Sequence, residues 1–336
     1  MKLAAPLLVI AIVVGASYAA LSYYFLSPTE KFAPPREVTI EKGESFRQIA
    51  RALADAGVVR SELALRLYGR MSLTASQIKP GDYAFKGGER VPDVMRHLVK
   101  GDFVVVTITI PEGLSVHEIA ERVAATGLVC EDEFENAARD GEIVRALGLM
   151  PLGAEGYLFP ATYKFSPHAK TNDVLVAMLA RFYQVLTPQV EARMFAVGLD
   201  ARQLVTMASI VEKEAKAPSE RPLIAGVFYN RLRLGMPLQS DPTAEYELDG
   251  AKESAVNAVH TTSAFNTYDF TGLPPGPIAN PGLKSIEAAL NPTQTDDLYF
   301  VAREGGTHTF SKSYDEHRRA IASERKVPAA NQPQHP

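Results

Sequence analysis

The residues best suited to chemistry are two glutamates, Glu212 and Glu214, which close an apolar segment of the chain. At helical spacing the neighbours of Glu214 are all apolar: Met207, Ile210 and Val211. The neighbours of Glu212 are smaller and include a hydroxyl: Val205, Ala208 and Ser209. Apolar surroundings raise the pKa of a carboxyl group, which suits a general acid near neutral pH. The spacing favours Glu214 by a small margin, and a solvated charge at a helix end is the alternative for both residues.

Two predicted helices position these glutamates. The first begins at Asp200 as N-cap, with Gln203 three residues later, and Pro218 marks its end. The second has Ser219 as a candidate N-cap and Gly235 as the residue that ends it. The two helices therefore meet immediately after the second glutamate.

The N-terminal segment predicts one membrane-spanning helix. Residues 3–26 carry no charge and are almost entirely apolar or aromatic. A helix of this length covers about 36 Å, against about 30 Å for the hydrocarbon core of a bilayer. A short N-terminal leader normally stays in the cytoplasm, so the rest of the chain is predicted to lie outside it. A cleaved signal peptide is the alternative, since Lys2, the apolar block and the small pair Ser17/Ala19 resemble its three regions.

The chain beyond this segment predicts two folded domains. Residues 27–36 contain three prolines and no periodicity, which is typical of a stiff linker. About 290 residues then remain before a Pro- and Gln-rich tail, a length typical of two domains. The predicted parts are a cytoplasmic tip with the span (1–29), a linker (30–37), two domains (38–105 and 106–326) and a disordered tail (327–336).

Two segments repeat one pattern at an offset of 70 residues. Residues 38–59 and 108–129 are identical at nine of 22 aligned positions. Each copy alternates like a strand, turns at a glycine and caps a helix with a serine. These residues are Gly43 and Ser45 in the first copy and Gly113 and Ser115 in the second. A looser third copy, residues 81–101, has its turn at the pair Gly87-Gly88.

Composition excludes several classes of partner and site. Thirty-five basic residues against 39 acidic ones give a net charge of −4, so nucleic acid is not an expected partner. The seven histidines lack the short spacing of a zinc site, and we expect no metal. The single cysteine, Cys130, lies at a helix start and is expected to be buried or half-buried. Beyond it the chain is mainly helical, and residues 172–197 predict a core helix.

Several motifs resemble one enzyme family. They are ASIVEKEA (208–215), SERPLIAGVFYNRLRLGMPLQSDPT (219–243), EGYLFPATYKF (155–165), NTYDFTGLPPGPIANPG (266–282) and LYFVAREGGTHTFSKSYDEH (298–317). Together they resemble the MltG (YceG-like) family of endolytic murein transglycosylases, over nearly the whole chain. The family's catalytic glutamate is the second one of EKE, which corresponds to Glu214.

The resemblance implies an α+β fold in three parts. A single N-terminal transmembrane helix precedes a small module, residues 38–105, that resembles the strand–helix–helix–strand LysM fold. A larger, mainly helical α+β catalytic domain follows in residues 106–326. The family uses no cofactor. A LysM-like module often binds N-acetylated glycans, and a spacer or packing role is its alternative.

The resemblance also implies a reaction. One carboxylic acid protonates the glycosidic oxygen between N-acetylmuramic acid and N-acetylglucosamine. The same group then takes a proton from the muramoyl C6 hydroxyl, and that oxygen closes a 1,6-anhydro ring. Ordinary glycoside hydrolases need two carboxylates instead.

The remaining motif residues are candidate walls of a sugar cleft, because sugar hydroxyl and acetamido groups need a mixture of donors and acceptors. The predicted substrate contacts are Tyr229, Asn230, Gln239, Ser240, Asp241, Thr243, Asn266 and Tyr268. Some have structural alternatives: Asp241 suits a turn, Tyr229 and Asn230 suit inward packing, and residues 260–282 suit a packed loop. Glu155 is expected to be a buried hydrogen-bonding anchor.

Two other functions compete with strand cleavage by one acid. The first is a non-catalytic peptidoglycan-binding scaffold for a cell-wall synthase. The second is a lysozyme-like hydrolase that uses Glu214 with Asp241 or Glu212. The favoured hypothesis is an enzyme that cuts nascent strands and accompanies a peptidoglycan synthase. It is expected to be a single-pass inner-membrane protein with an extracytoplasmic catalytic domain.

Overall fold

A computed structural model of the chain describes residues 4–149, 152–246, 260 and 262–324. The predicted tail, residues 327–336, and the first residues of the predicted cytoplasmic tip lie outside this part. The described residues form two compact units. The first runs to Val106 and includes Lys164–His168, and the second contains Thr107–Tyr163 and the described residues from Ala169 onward. Among the described residues the strands form small, separate two-stranded sheets and most other elements are helices, which fits the α+β class.

The first unit is a small sheet covered by helices. Its elements are α1 (Ala4–Leu26), β1 (Lys31–Ile40), α2 (Phe46–Asp55), α3 (Glu62–Met71), a 3₁₀ turn (Ala75–Gln77), β2 (Gly81–Gly87) and α4 (Val91–Lys100). β1 and β2 pair antiparallel, with Val38 opposite Tyr83. Alternate residues of both strands point inward, where they meet the apolar faces of α2, α3 and α4. The largest side chains of this core are Leu53, Leu65, Tyr83, Phe85, Met95 and Leu98.

The sequence repeat is also a structural repeat. In both copies the serine side chain accepts a hydrogen bond from the third residue of the helix, and that residue's side chain accepts one from the serine backbone. This reciprocal capping box joins Ser45 to Gln48 and Ser115 to Glu118. The preceding turn glycines have φ values of 96° and 81°, a region that favours glycine. The predicted third copy also forms a strand and a helix, β2 and α4.

The structure differs from the expected linker at residues 30–37. Residues 31–37 belong to β1, because Phe32 packs against the core of the first unit and the strand continues to Val38. The prolines are tolerated at an irregular stretch, where the register shifts between Lys31 and Arg36. Only four residues, 27–30, separate α1 from β1.

The second unit is mainly helical. Its elements are β3 (Val106–Thr109), α5 (Val116–Ala124), α6 (Glu131–Asp140), α7 (Glu142–Ala146), β4 (Thr162–Phe165), α8 (Thr171–Tyr183), α9 (Pro188–Val197), α10 (Ala201–Glu214), a 3₁₀ turn (Pro218–Glu220), α11 (Arg221–Arg233), α12 (Asp241–Glu245), α13 (Leu283–Leu290), β5 (Tyr299–Ala302), β6 (His308–Ser311) and α14 (Tyr314–Glu324). α10 runs through the core, and every residue from Leu204 to Val211 is buried. α11 and α13 pack against it.

Two predictions for this unit were wrong. Residues 172–197 form two helices, α8 and α9, because Thr187 caps a new helix that starts at Pro188. α9 contains no buried residue, so only α8 is a core helix. Cys130 is exposed, although it does lie at the start of a helix as N-cap of α6.

The predicted membrane span falls within α1. Where side chains are described, no single helix is long and apolar enough to cross a membrane, and the apolar stretch of α1 there is Ile12–Leu26. Two other helices reach that length only as a pair, Pro188–Val197 with Ala201–Glu214, and they are bent by 84°. The span of residues 3–26 stays a prediction.

Candidate active site

A sharp corner between α10 and α11 presents Glu214. Asp200 and Gln203 form the predicted capping box that starts α10, and the helix ends at Glu214. Ala215 leaves the helical conformation, and the turn Pro218–Glu220 then leads into α11. Ser219 was expected to be the N-cap of α11, but this helix begins at Arg221 and its N-cap is Glu220. The core burial of α10 fixes the position of the carboxylate at its end.

Glu214 is half-buried and accepts a short hydrogen bond, with Ser240 Oγ donating to its Oε1 at 2.6 Å. Burial raises the pKa of Glu214 to about 7, and the hydrogen bond from Ser240 opposes that increase. The negative charges of Asp241 and Glu245 also raise this pKa, whereas Arg231 lowers it. Near neutral pH both protonation states are therefore populated.

The turn that carries Ser240 is held by hydroxyl groups. Ser240 N donates to Thr267 Oγ1 at 3.1 Å, and Thr243 Oγ1 donates to the Ser240 carbonyl at 2.6 Å. The two threonine hydroxyl oxygens lie 2.7 Å apart. All three residues are buried. Thr243 therefore fixes the turn from behind and does not line the cavity.

Arg231 anchors the segment before this turn. Its Nη1 donates to the Leu238 carbonyl at 2.7 Å and to Gln239 Oε1 at 3.2 Å, and its Nε donates to the Leu298 carbonyl at 2.7 Å. Gln239 adopts a φ of 51°, which is uncommon for a residue other than glycine. The arginine thus holds an unusual backbone bend next to Ser240.

Asp241 and Tyr268 form the opposite side of the turn. Tyr268 OH donates to Asp241 Oδ1 at 2.6 Å, and burial raises the pKa of Tyr268. Asn266 is fully buried, and its Oδ1 accepts a hydrogen bond from the Tyr268 backbone at 3.1 Å. Asn266 therefore orients the tyrosine from within the loop.

A cavity of about 490 Å³ opens in front of Glu214. Its lining residues include Glu214, Arg231, Gln239, Asp241, Tyr268, Tyr299, His308, Tyr314 and His317. The ring of His317 stacks on Tyr299 at 5.2 Å, and Tyr314 packs against both rings. Burial and the charge of Arg231 lower the pKa of His317. The cavity thus has a carboxylic acid beside an aromatic wall, which suits a sugar ring.

Glu212 has a different environment from Glu214. Arg221 Nη2 donates to Glu212 Oε1 at 2.8 Å, and Gly282 N donates to Oε2 at 3.0 Å. The side chain of Glu212 is only 6% exposed. Arg221 also lies 3.8 Å from Glu112, whose pKa is raised by burial and by Glu212. Glu212 is therefore a structural ion-pair residue that ties α10 to α11.

Two predicted substrate contacts lie elsewhere. Tyr229 OH donates to the Ala289 carbonyl at 2.7 Å, and Asn230 Nδ2 donates to the Thr295 carbonyl at 2.8 Å. Both residues line a separate cavity and not the one with Glu214. The structure brings Gln239, Ser240, Asp241 and Tyr268 to Glu214, and it places Thr243 and Asn266 behind them.

Glu155 occupies a buried anchor position, as expected. Its Oε1 accepts a hydrogen bond from Asn280 at 2.9 Å, and its Oε2 accepts one from the Val116 backbone at 3.0 Å. Tyr246 OH also donates to Oε2 at 3.2 Å. The motif residues 155–165 and 266–282 therefore meet in the interior.

Sequence reasoning missed five of the lining residues named above: Arg231, Tyr299, His308, Tyr314 and His317. All five lie inside the motifs 219–243 and 298–317, so the motifs themselves contained the signal. Arg231 takes its place through a contact across 67 residues, with the Leu298 carbonyl. Residue spacing cannot reveal such contacts.

One group of described residues has the geometry for a cation. Ligand atoms of His117, Glu121 and Glu131 all lie within 4.8 Å of one another. None of the three lines the cavity in front of Glu214. Among the described lining residues, the polar groups suit hydrogen bonding to an organic substrate.

The chain is similar to proteins of one family. The model of the YceG-like family matches residues 38–323. The endolytic murein transglycosylase of Bacillus subtilis is 34% identical over 315 residues, which cover 88% of this chain and 86% of that protein. The enzyme of the same name from Streptococcus pneumoniae is 32% identical over 320 residues, covering 85% of this chain and 57% of that protein. A crystal structure of a yceG-like protein from Listeria monocytogenes matches with a TM-score of 0.59 at 30% identity, over 86% of this chain and 99% of that one.

Proposed function

This chain belongs to the YceG-like family, and from that premise we propose that it is an endolytic murein transglycosylase. It cleaves the β-1,4 bond between N-acetylmuramic acid and N-acetylglucosamine inside nascent peptidoglycan strands. The cut leaves 1,6-anhydro-N-acetylmuramic ends and so terminates strand elongation. The observation that carries the proposal is Glu214, a half-buried acid with a pKa of about 7 in a polar and aromatic cavity.

In the first step Glu214 is the general acid. It gives its proton to the glycosidic oxygen, the bond from that oxygen to the muramoyl C1 breaks, and an oxocarbenium-like centre forms at C1. The nearby guanidinium of Arg231 lowers the pKa of Glu214 and so favours the carboxylate that this step leaves. The Ser240 hydroxyl stabilises the same charge by its hydrogen bond.

In the second step the carboxylate of Glu214 is the base. It takes the proton of the muramoyl C6 hydroxyl, whose oxygen bonds to C1 and closes the anhydro ring. No water is consumed, and Glu214 returns to its acid form. A single group can perform both steps because its pKa of about 7 lets it give and accept a proton near neutral pH.

The substrate contacts that the geometry supports are Gln239, Asp241 and Tyr268, with Ser240 acting through Glu214. Gln239 and Asp241 supply the amide and carboxylate that acetamido and hydroxyl groups require. Tyr229 and Asn230 have no such support at this cavity, since each side chain donates a hydrogen bond to a backbone carbonyl elsewhere.

A hydrolase that pairs Glu214 with Glu212 is less well supported. Glu212 accepts hydrogen bonds from Arg221 and Gly282 and does not line the cavity in front of Glu214, so the structure does not present it to a water there. Asp241 is the remaining partner for that mechanism, and it already accepts the Tyr268 hydroxyl. A non-catalytic scaffold would have no need of a carboxyl group with a pKa near 7.

The cellular setting completes the proposal. The apolar helix α1 anchors the enzyme in the inner membrane with its N-terminus in the cytoplasm, and the catalytic domain, residues 106–326, lies outside. The strand–helix–helix–strand order of β1, α2, α3 and β2 supports a LysM-like module at residues 38–105. A peptidoglycan synthase that supplies nascent strands is the expected partner.

The Glu214→Gln variant tests the catalytic assignment. The amide cannot give up a proton as the carboxylic acid does, so we expect strand cleavage to fall at least about 10²–10⁴-fold while glycan binding persists. Cleavage is measured on purified strands by chromatography, and binding by co-sedimentation. A variant that cuts as fast as the wild type would falsify the assignment.

Mass spectrometry of the products separates the two mechanisms. The wild-type enzyme is expected to yield 1,6-anhydro ends, which are lighter than reducing ends by one water. Reducing N-acetylmuramic ends from the wild type would instead identify a hydrolase.

A further inference from the structure

Helix α3 carries an apolar stripe that the first unit leaves uncovered. Leu65 and Gly69, on one side of the helix, are buried in the core of that unit. Leu63, Leu67 and Met71 recur every four residues on the other side. They are 61%, 51% and 79% exposed, which is unusual for three large apolar side chains on one helical face. We refer to these three residues as the α3 stripe.

The α3 stripe continues onto helix α1. A groove of about 640 Å³ is lined by residues of both helices: Tyr18, Phe25, Leu26, Leu63, Leu67 and Met71. Its wall is therefore largely apolar over its whole length. One apolar surface therefore extends from the predicted membrane span in α1 to the α3 stripe.

The stripe is fixed beside the end of α1 by polar contacts. Arg60 Nη2 donates to the Pro28 carbonyl at 3.0 Å, and its guanidinium lies 5.2 Å from the ring centre of Tyr24. Thr29 Oγ1 donates to the Val58 carbonyl at 3.4 Å. With only four residues between α1 and β1, the unit has no long spacer from the helix.

Basic residues flank the stripe. Arg66 and Arg70 each follow a stripe leucine by three residues, so they lie next to it on the helix surface. Arg66 forms a salt bridge with Glu62 at 3.1 Å. Among the described residues, neither Arg70 nor the neighbouring Arg60 forms a salt bridge with a carboxylate. Long basic side chains beside an apolar face are typical of helices that lie in a membrane interface and contact anionic headgroups.

We propose that α3 lies in the membrane interface with the α3 stripe inserted among the lipid chains. The first unit then rests on the bilayer that holds α1, and Arg70 and Arg60 contact the headgroups. The inference rests on the part of the proposed function that retains α1 in the membrane, and it is independent of the chemistry of Glu214.

Site-specific fluorescence tests this placement in the full-length chain. Cys130 is first replaced by serine, and single cysteines are then introduced at Leu67, Met71, Val14 or Arg51. Each is labelled with an environment-sensitive dye, and the protein is reconstituted at one copy per nanodisc of phosphatidylethanolamine and phosphatidylglycerol. Val14 in α1 is the control for lipid, and Arg51 on α2 is the exposed control for water.

We expect dyes at Leu67 and Met71 to be blue-shifted and quenched by spin-labelled lipid, like the dye at Val14 and unlike the dye at Arg51. A Leu67→Asp change should reverse the effect for the dye at Met71. Water-like signals at Leu67 and Met71 beside a lipid-like signal at Val14 would overturn this inference alone. A water-like signal at Val14 would overturn the retained anchor as well, while strand cleavage in the same discs reports separately on Glu214.

Two other occupants of the stripe have distinct signatures. A blue shift that requires two copies per disc identifies a second copy of this chain. A shift that appears only on addition of glycan strands, without quenching by lipid, identifies a glycan site. Either result would contradict insertion into lipid.

Discussion

At the scale of single residues, the proposed reaction requires a carboxyl group that both gives and takes a proton. A carboxyl with an ordinary pKa near 4 would be ionised at neutral pH and could not act as an acid. With a pKa far above 7, the carboxyl group would be too weak an acid to give up its proton in the first step. The balance of burial against the Ser240 hydrogen bond sets the pKa of Glu214 at about 7, between these limits.

This balance predicts opposite effects of two neighbouring substitutions on the pH dependence of kcat/KM. Wild-type activity is expected to fall above about pH 7, as Glu214 loses its proton. Ser240→Ala removes a hydrogen bond that lowers the pKa, so the alkaline limb should move to higher pH. Asp241→Asn removes a charge that raises the pKa, so the limb should move to lower pH.

Ser240→Thr is the control, because it keeps the hydroxyl group and should leave the limb near its wild-type position. The measurement is initial cleavage rate at low substrate concentration across pH 5 to pH 9, about two units on each side of the pKa. Shifts of Ser240→Ala and Asp241→Asn in the same direction would contradict the origin given for this pKa.

The same pKa predicts how Glu214 affects folding stability. The folded pKa of about 7 lies above the ordinary glutamate value of 4.5, so the folded state binds more protons than the unfolded state between these pH values. Stability from this residue is therefore lost as pH rises from 4.5 to 7. We expect Glu214→Gln to be more stable than the wild type above pH 7 by about 1–3 kcal/mol, and nearly equal at pH 4.5.

Urea unfolding at several pH values measures this difference. Glu191→Gln on α9 is the control, since it removes an exposed carboxylate and leaves Glu214 and the groups that set its pKa in place. A Glu214→Gln variant whose advantage does not grow with pH would show that the carboxyl has an ordinary pKa.

At the scale of elements, the corner between α10 and α11 depends on one buried ion pair. Arg221 joins Glu212 at the end of α10 to the start of α11, and the Gly282 backbone completes the pair. Removing the arginine leaves a buried carboxylate without its cation. Arg221→Met is expected to cost about 3–5 kcal/mol of unfolding free energy.

Lys213→Met is the matched control, because Lys213 is an exposed cation on the same turn and its loss should change stability by no more than about 0.5 kcal/mol. Chemical denaturation measures both variants. Equal effects of the two substitutions would mean that the Glu212–Arg221 pair does not hold the corner.

The same corner explains what the sequence could and could not predict about the site. Periodicity selected Glu214 by its apolar neighbours, but Glu212 proves to be well buried too. The two residues differ in their partners, since Glu212 accepts a hydrogen bond from Arg221 and Glu214 accepts one from Ser240. Such partners lie across turns of the chain, where residue spacing carries no information.

Local signals predicted elements better than they predicted partners. The predicted N-caps Ser45, Ser115 and Asp200 all form, each within a capping box that depends on residues only three apart. The predicted core helix at 172–197 failed where Pro188 starts a new helix. The expected linker failed because three prolines and a low periodicity concealed a strand that packs through Phe32.

At the scale of the whole molecule, each compact unit has its own hydrophobic core. We therefore expect Leu53→Ala, in the core of the first unit, to lower the stability of that unit by about 2–5 kcal/mol. Amide hydrogen exchange should lose protection in the first unit alone, and cleavage of short soluble glycans should be unchanged.

Leu204→Ala is the matched substitution in the core of the second unit, where α10 carries Glu214. It should reduce protection in the second unit and cleavage together. Loss of protection in both units after Leu53→Ala would indicate one cooperative fold.

The repeated strand–turn–helix segment also has a consequence for biogenesis. Residues 38–40 of β1, VTI, recur as residues 108–110, ITI, at the end of β3, so β3 is a competing partner for β2 during folding. β2 ends at Gly87, well before β3 begins at Val106, so a chain that emerges from the N-terminus can close the β1–β2 ladder before its competitor appears. We therefore expect the order of synthesis to favour the native pairing. Refolding of the complete chain from denaturant lacks this order and should yield more misfolded product than folding during synthesis.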